Sequence, residues 1–236
     1  MERLLLPMLP GGPGYVGWFG KLPSVGDFAS RGIPQALRET VHHWIASGMA
    51  TLAEQQPEDW REAYLVSPVW HFVVNAGVWD SPALIGCIAP SIDKVGRCSP
   101  LLALRAFDGR RVREVLPPAS EWLYRVDALL RRVIGERLAV DVVLGELERE
   151  LLSETEQGAA QSTAGDILAD LGIVGDGGRN KTWFSWPDLP ELFDARNNRS
   201  FWWAEPSPRQ PPRQIMHSGK PDDHLFGLLM GGWLRA

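Results

Sequence analysis

Glycine and lysine stand side by side at Gly20-Lys21 in the stretch GWFGKLPSVGDF (Gly17–Phe28). After an apolar run, that pair reads as the end of a phosphate-binding loop. Such a loop needs a glycine five residues earlier, a Ser or Thr after the lysine for magnesium, and a helix whose free N–H groups face the phosphates. Tyr15 stands where the first glycine belongs and Leu22 where the hydroxyl belongs, and Pro23 and Gly26 oppose a helix. Nucleotide binding is not expected here.

The other reactive side chains are scattered. Of the histidines, His42 and His43 are adjacent, so a helix sends them in different directions. His71 lies in an apolar run, and His224 follows Asp222 and Asp223 in a trio that fits a helix cap better than a metal site. His217 has no ligand pattern around it. Cys87 and Cys98 do not make a zinc motif, and two cysteines are no disulfide framework, which fits a reducing compartment. Cys98 follows Arg97, a neighbour that would favour a thiolate. No G-x-S-x-G elbow is present. Asp27 and Asp93 sit in loops beside predicted strands, where carboxylates either act or close turns. Either can pair with Arg97. Arg105, Arg110, Arg111 and Arg113 make a basic run without interleaved aromatics. With 24 Lys+Arg against 29 Asp+Glu, the chain has a net charge of -5. Neither nucleic-acid binding nor membrane insertion is expected.

The elements that must position these groups can be read from periodicity. Tyr15–Leu22 predicts a strand and Pro23–Gly32 a loop. Pro34 suits the first turn of a helix whose apolar face is Leu37, Val41, Trp44, Ile45, Gly48 and Leu52. Pro57 closes it, and Glu58–Val66 predicts a shorter helix. Val69–Ala76, Pro82–Pro90 and Leu101–Phe107 are apolar throughout, as in strands covered on both faces. Asp108-Gly109 predicts a hairpin returning through Val112–Leu116 until Pro117 and Pro118. Ala119–Glu156 predicts one long helix or two, broken near Gly135 or Gly145. Its arginines lie early and its glutamates late.

Further on, Gly158–Gly165 reads as a linker, Asp166–Leu171 as a helical turn or two, Gly175–Gly178 as a loop, and Thr182–Trp186 and Phe201–Ala204 as strands. PSPRQPPR is expected to be an extended connector within Glu205–Arg213. Asp222–Met230 predicts a final helix ended by Gly231-Gly232. Residues 1–14 are expected to be a flexible tail, 15–157 the core α/β domain, and 158–236 a C-terminal segment packing on the same core as a possible small lobe. The pattern predicts an α/β/α sandwich: a mostly antiparallel central sheet with helices on both faces. The 11 tryptophans imply a core and clefts rich in flat side chains.

Three stretches carry a family resemblance: GWFGKLPSVGDF, SPVWHFVV (Ser67–Val74) and PSIDKVGRCSPL (Pro90–Leu101). Together they resemble the TagF family, also called ImpM, of type VI secretion-associated proteins. FWW (Phe201–Trp203) followed by GKPDDHLFGLL (Gly219–Leu229) is similar to that family's tail. Cys98-Ser99 and Lys220 depart from its usual apolar residues. The resemblance implies an α/β/α sandwich and a cytoplasmic accessory protein rather than an enzyme. It implies post-translational repression of secretion-system assembly through binding to the forkhead-associated scaffold protein. No cofactor or metal is implied.

On that reading Trp18, Lys21, Ser24, Asp27, Phe28, Asp93 and Arg97 are expected to form or support one polar-rimmed partner surface. The same residues would serve equally as a loop-to-loop ion pair fixing two turns. A hydrolase using loop carboxylates or Cys98, or a structural part of the secretion apparatus, remains the alternative. The oligomeric state is not legible.

Overall fold

A computed structural model of the 236-residue chain describes residues 14–139, 141–142, 145–146, 188–206 and 211–231. The expected tail, linker, helical turn, loop and strand within 1–13 and 158–186, and the middle of the proline-rich connector, lie outside them.

Among the described residues seven strands form one sheet: β1 (Val16–Lys21), β2 (Phe28–Arg31), β3 (Trp70–Val74), β4 (Ala83–Ala89), β5 (Leu101–Phe107), β6 (Arg199–Ala204) and β7 (Arg213–Ser218). Their order is β2-β1-β5-β4-β3-β6-β7, and every neighbouring pair is antiparallel. β3, β4 and β5 are buried along their whole length, as their unbroken apolar runs require.

Two helical layers provide that burial. On one face lie α1 (Gln35–Gln55), α2 (Trp60–Leu65) and α5 (Asp223–Met230). On the other lie α3 (Val112–Gly135) and α4 (Leu189–Leu192). The sandwich predicted from sequence is the observed architecture. α1 buries Leu37, Val41, Trp44, Ile45, Gly48 and Leu52, the six residues its periodicity singles out. At Gly48 it touches α5, where a Cβ would fall 2.2 Å from the Phe226 ring. Asp222 caps α5, accepting the Leu225 N–H at 2.8 Å. Of the eight described tryptophans, seven are buried, so these side chains serve the core rather than a surface cleft. Trp44, Trp79 and Trp202 pack together with Phe72 and Phe226 between α1, α5 and the sheet.

Three sequence expectations fail. Asp108-Gly109 does not begin a hairpin. The Asp108 side chain accepts the Arg110 N–H, a 3-10 turn follows, and Val112–Leu116 enters α3, which runs on through Pro117 and Pro118. Val112, Leu116, Ala119, Leu123, Val126, Leu130 and Val133 are all buried at helical spacing, and this long register outweighs a two-residue turn signal. Second, Pro23–Gly32 is not all loop, because it contains β2. Third, β7 starts at Arg213, the last residue of the connector expected over Glu205–Arg213, and runs on to Ser218 through residues for which no element is predicted. Both are edge strands, with alternating or partial exposure instead of an apolar run.

Candidate functional site

The β1–β2 turn and the loop between β4 and β5 meet at one end of the sheet, and Asp93 joins them. Its carboxylate is buried. Oδ2 lies 3.1 Å from Lys21 Nζ and 2.7 Å from Arg97 Nε, while Oδ1 accepts the backbone N–H groups of Val95 and Arg97 at 3.0 and 2.9 Å. Burial pushes the carboxyl upward. The Arg97 N–H, then Lys21 and the Arg97 side chain, more than reverse this and hold it well below the usual range.

Local sequence explains the loop. Asp93 N–H donates to Arg97 carbonyl at 3.0 Å and Gly96 N–H to Asp93 carbonyl at 2.9 Å, closing a five-residue knot. Gly96 has φ +89°, a left-handed conformation that side chains oppose. Two further bonds fasten the knot to the β1–β2 turn: Lys94 N–H to Val25 carbonyl at 2.8 Å, and Arg97 Nη2 to Gly26 carbonyl. Behind it, buried Tyr64 donates to Ser91 carbonyl and accepts Ser91 N–H, and Ser91 Oγ donates to Lys21 carbonyl at 2.8 Å.

The seven predicted site residues divide. Lys21, Asp93 and Arg97 form the ion-paired cluster, and Phe28 joins them because Lys21 Nζ sits 5.2 Å from its ring centroid. Phe28 in turn stacks on Phe19 at 5.4 Å, with His42 edge-on at 4.9 Å. Asp27 is exposed and accepts the Phe28 N–H at 2.8 Å, so of the two candidate partners for Arg97 it is Asp93 that makes the pair. Ser24 Oγ is buried without a hydrogen-bond partner among the described residues. Trp18 is elsewhere. One residue along β1 from Phe19, it points through the opposite face into the core under α3. Lys21 and Asp93 are likewise covered, and the surface belongs to Lys94, Val95, Arg97 and Asp27. Sequence reasoning missed Lys21 as the Asp93 partner and Tyr64 as the anchor of Ser91. Pairs 72 and 27 residues apart leave no mark in local spacing.

Neither cysteine is set up as a nucleophile. Cys98 Sγ lies 3.5 Å from Arg61 Nη1, yet burial raises its pKa more than Arg61 and Lys21 lower it. Cys87 has an acid–base neighbourhood that the sequence hid. His71 and Cys87 are register partners on β3 and β4, and His71 Nε2 lies 3.0 Å from Asp127 Oδ2 on α3. Arg131 also bonds Asp127, and His71 Nδ1 faces Glu205 at 3.9 Å. This resembles a thiol–imidazole–carboxylate relay. However, Cys87 is 0% exposed, its thiol donates to Leu123 carbonyl, and burial followed by the Asp127 charge pushes its pKa well up. The cluster ties α3 to the sheet. Among the described residues no group of three or more His, Cys, Asp or Glu is placed to hold a metal, and no helix is long and apolar enough to cross a membrane.

Fold and site together define an α/β/α sandwich with a seven-stranded antiparallel sheet and a surface loop pinned by a buried ion pair. The family model of the TagF N-terminal domain, described as type VI secretion system-associated, matches residues 17–149. The chain belongs to that family. It is also similar to the crystal structure of PA0076 from Pseudomonas aeruginosa PAO1, with a TM-score of 0.64 and 26% identity over 92% of this chain and 94% of that one. No curated protein matches it.

Proposed function

We propose that the chain is a cytoplasmic regulator of the type VI secretion system, a repressor of assembly that binds the forkhead-associated scaffold protein. The observation that carries this reading is membership in a secretion-associated family over residues 17–149. A second observation agrees with binding: the sheet end carries a loop held by a buried carboxylate, while the Cys87 thiol is fully buried and donates to the Leu123 carbonyl. Within the expected partner surface, Asp27 and Arg97 provide exposed polar contacts. Lys21, Asp93, Phe28 and Ser24 support them from below, and Trp18 contributes core packing.

The test is capture from native lysate with the tagged full chain, paired with secretion measured in cells that overproduce it. Recovery of the forkhead-associated scaffold together with reduced secretion is the expected outcome. Secretion unchanged by a folded, abundant chain that captures no scaffold would sink the repressor reading.

A further inference from the structure

Among the described residues β7 is the last strand of the sheet, so its outer side is a sheet edge. Two bonds fix which backbone groups face that edge. The Asn75 N–H donates to the Arg199 carbonyl at 2.9 Å, so the odd-numbered residues of β6 bond toward β3 and the even-numbered ones toward β7. The Gly219 N–H donates to the Asn198 carbonyl at 2.7 Å, one step beyond the register pair Arg199–Ser218, and gives the same assignment. Arg213, Ile215 and His217 therefore bond their N–H and carbonyl groups to β6. Gln214, Met216 and Ser218 turn theirs outward.

Natural sheets blunt such edges with charges, prolines, bulges or very short strands. β2, at the far end of the sheet, is four residues long, carries exposed Arg31 and runs into Gly32 at φ +72°. β7 has none of these devices. Its register runs through six pairs without a bulge, and Gln214–Ser218 contains no proline, glycine, lysine, arginine or acid. At its centre Met216 is 51% exposed beside Phe201, on the face that α3 and α4 cover. The Arg199 guanidinium meets Met216 Sδ at 3.9 Å, but it belongs to β6, one strand in from the edge.

We propose that this edge is the seam of a homodimer, in which β7 pairs antiparallel with β7 of a second copy about a two-fold axis through Met216. The occupant follows from the pattern. The outward residues 214, 216 and 218 are symmetric about Met216, so a strand that meets β7 antiparallel in this register needs the same pattern, and β7 itself has it. Met216 then exchanges N–H and carbonyl bonds with its own counterpart at about 5.5 Å between Cα atoms, and Ser218 of each copy stands opposite Gln214 of the other. Residues related in this way point to the same face, so the two exposed methionines cover one another. From residue 214 to residue 218 no charge faces its like across the seam. Such an isologous contact closes at two copies, because each offers β7 once. The proposal stands apart from the scaffold reading, since it concerns the purified chain alone.

The test is the mass of the purified full chain by sedimentation equilibrium, as wild type, Met216→Pro, Met216→Lys and Met216→Glu. One strand pair is a small interface, so dissociation in the micromolar range or weaker is expected, and loading runs up to about 0.5 mM. Wild type should rise from 26.2 kDa toward twice that mass. Met216→Pro removes an outward N–H and leaves the bonds to β6 in place, and it should pair at least about 10-fold more weakly. Lysine or glutamate sets like charges face to face and should weaken pairing as much. Mixing those two variants should restore the dimer, because position 216 then meets an opposite charge. Circular dichroism and melting temperature, unchanged in the lysine and glutamate variants, establish that the fold survives. A wild type that stays at 26.2 kDa at every loading overturns the proposal. So does a dimer that tolerates lysine and glutamate alike, which places the seam elsewhere, and so does a mixture of folded variants no heavier than its parts.

Discussion

Replacing Asp93 with asparagine keeps the size of the side chain and its ability to accept the Val95 and Arg97 N–H groups. It removes the charge that Lys21 and Arg97 face. The two cations then fare differently. The Arg97 side chain is 61% exposed and can turn to water, so its share is no more than about 1 kcal/mol. The Lys21 side chain is 8% exposed and would be left charged against an amide donor. Breaking a buried pair by removing one partner costs about 3–5 kcal/mol, a large part of the roughly 5–15 kcal/mol that holds a domain folded. Lys21→Met should cost less, about 1–3 kcal/mol, because Asp93 keeps Arg97 and two backbone donors. In Lys21→Met/Asp93→Asn no stranded ammonium remains, so the double variant should be more stable than the sum of the singles implies, by about 1–3 kcal/mol. Urea unfolding of the four proteins, extrapolated to water, measures all of this. An Asp93→Asn loss below about 1 kcal/mol, or strict additivity, would show that the Lys21–Asp93 pair does not hold the two loops together.

Asp93, Asp127 and Asp222 are all held below the ordinary carboxylate range. A depressed carboxyl contributes stability that is complete above its unfolded value of about 4 and is lost as pH falls through the folded value. Unfolding free energy measured from pH 6 to pH 2 should therefore fall steeply below about pH 4, and less steeply in Asp93→Asn; equal slopes would refute the assignment. Gly48→Ala should destabilise by about 2 kcal/mol, overpacking against Phe226 by about 3 kcal/mol being only partly offset by about 1 kcal/mol of helix propensity. A raised melting temperature would contradict that contact. Cys87 should resist alkylation in the native state and react only in denaturant, while partly exposed Cys98 reacts slowly without it; mass spectrometry of the labelled thiols distinguishes them.

The parts of the fold that periodicity records were legible. The α1 face and the three central strands depend on long apolar patterns, which one anomalous residue cannot disturb. The errors fall where a short signal or an edge was involved. Asp108-Gly109 looks like a turn between strands, but the same Asp begins a 3-10 turn when a helical register follows. FASR and RQIMHS bury too little to read as strands, and only pairing with β1 and β6 makes them so. In the candidate site, Asp93–Arg97 is legible as one of two options, Asp27 being the other, because all three residues lie in loops beside predicted strands. The partner that decides the electrostatics, Lys21, comes from another strand. Trp18 and Lys21 share one motif but face opposite sides of the sheet, which the pleat dictates once β1 is placed.

The strand order also sets a limit on dissection. β3 receives β4 on one side early in the chain, but its other side is closed only by β6, which begins at Arg199, 125 residues after Val74. During synthesis at about 5–20 residues per second, the apolar edge WHFVV is therefore open for roughly 6–25 s. The segment matched by the family model ends at residue 149, before β6, β7 and α5. A fragment cut there would keep that edge open permanently and leave Trp44 and Gly48 without Phe226, so the unit of sequence recognition is smaller than the unit of cooperative folding.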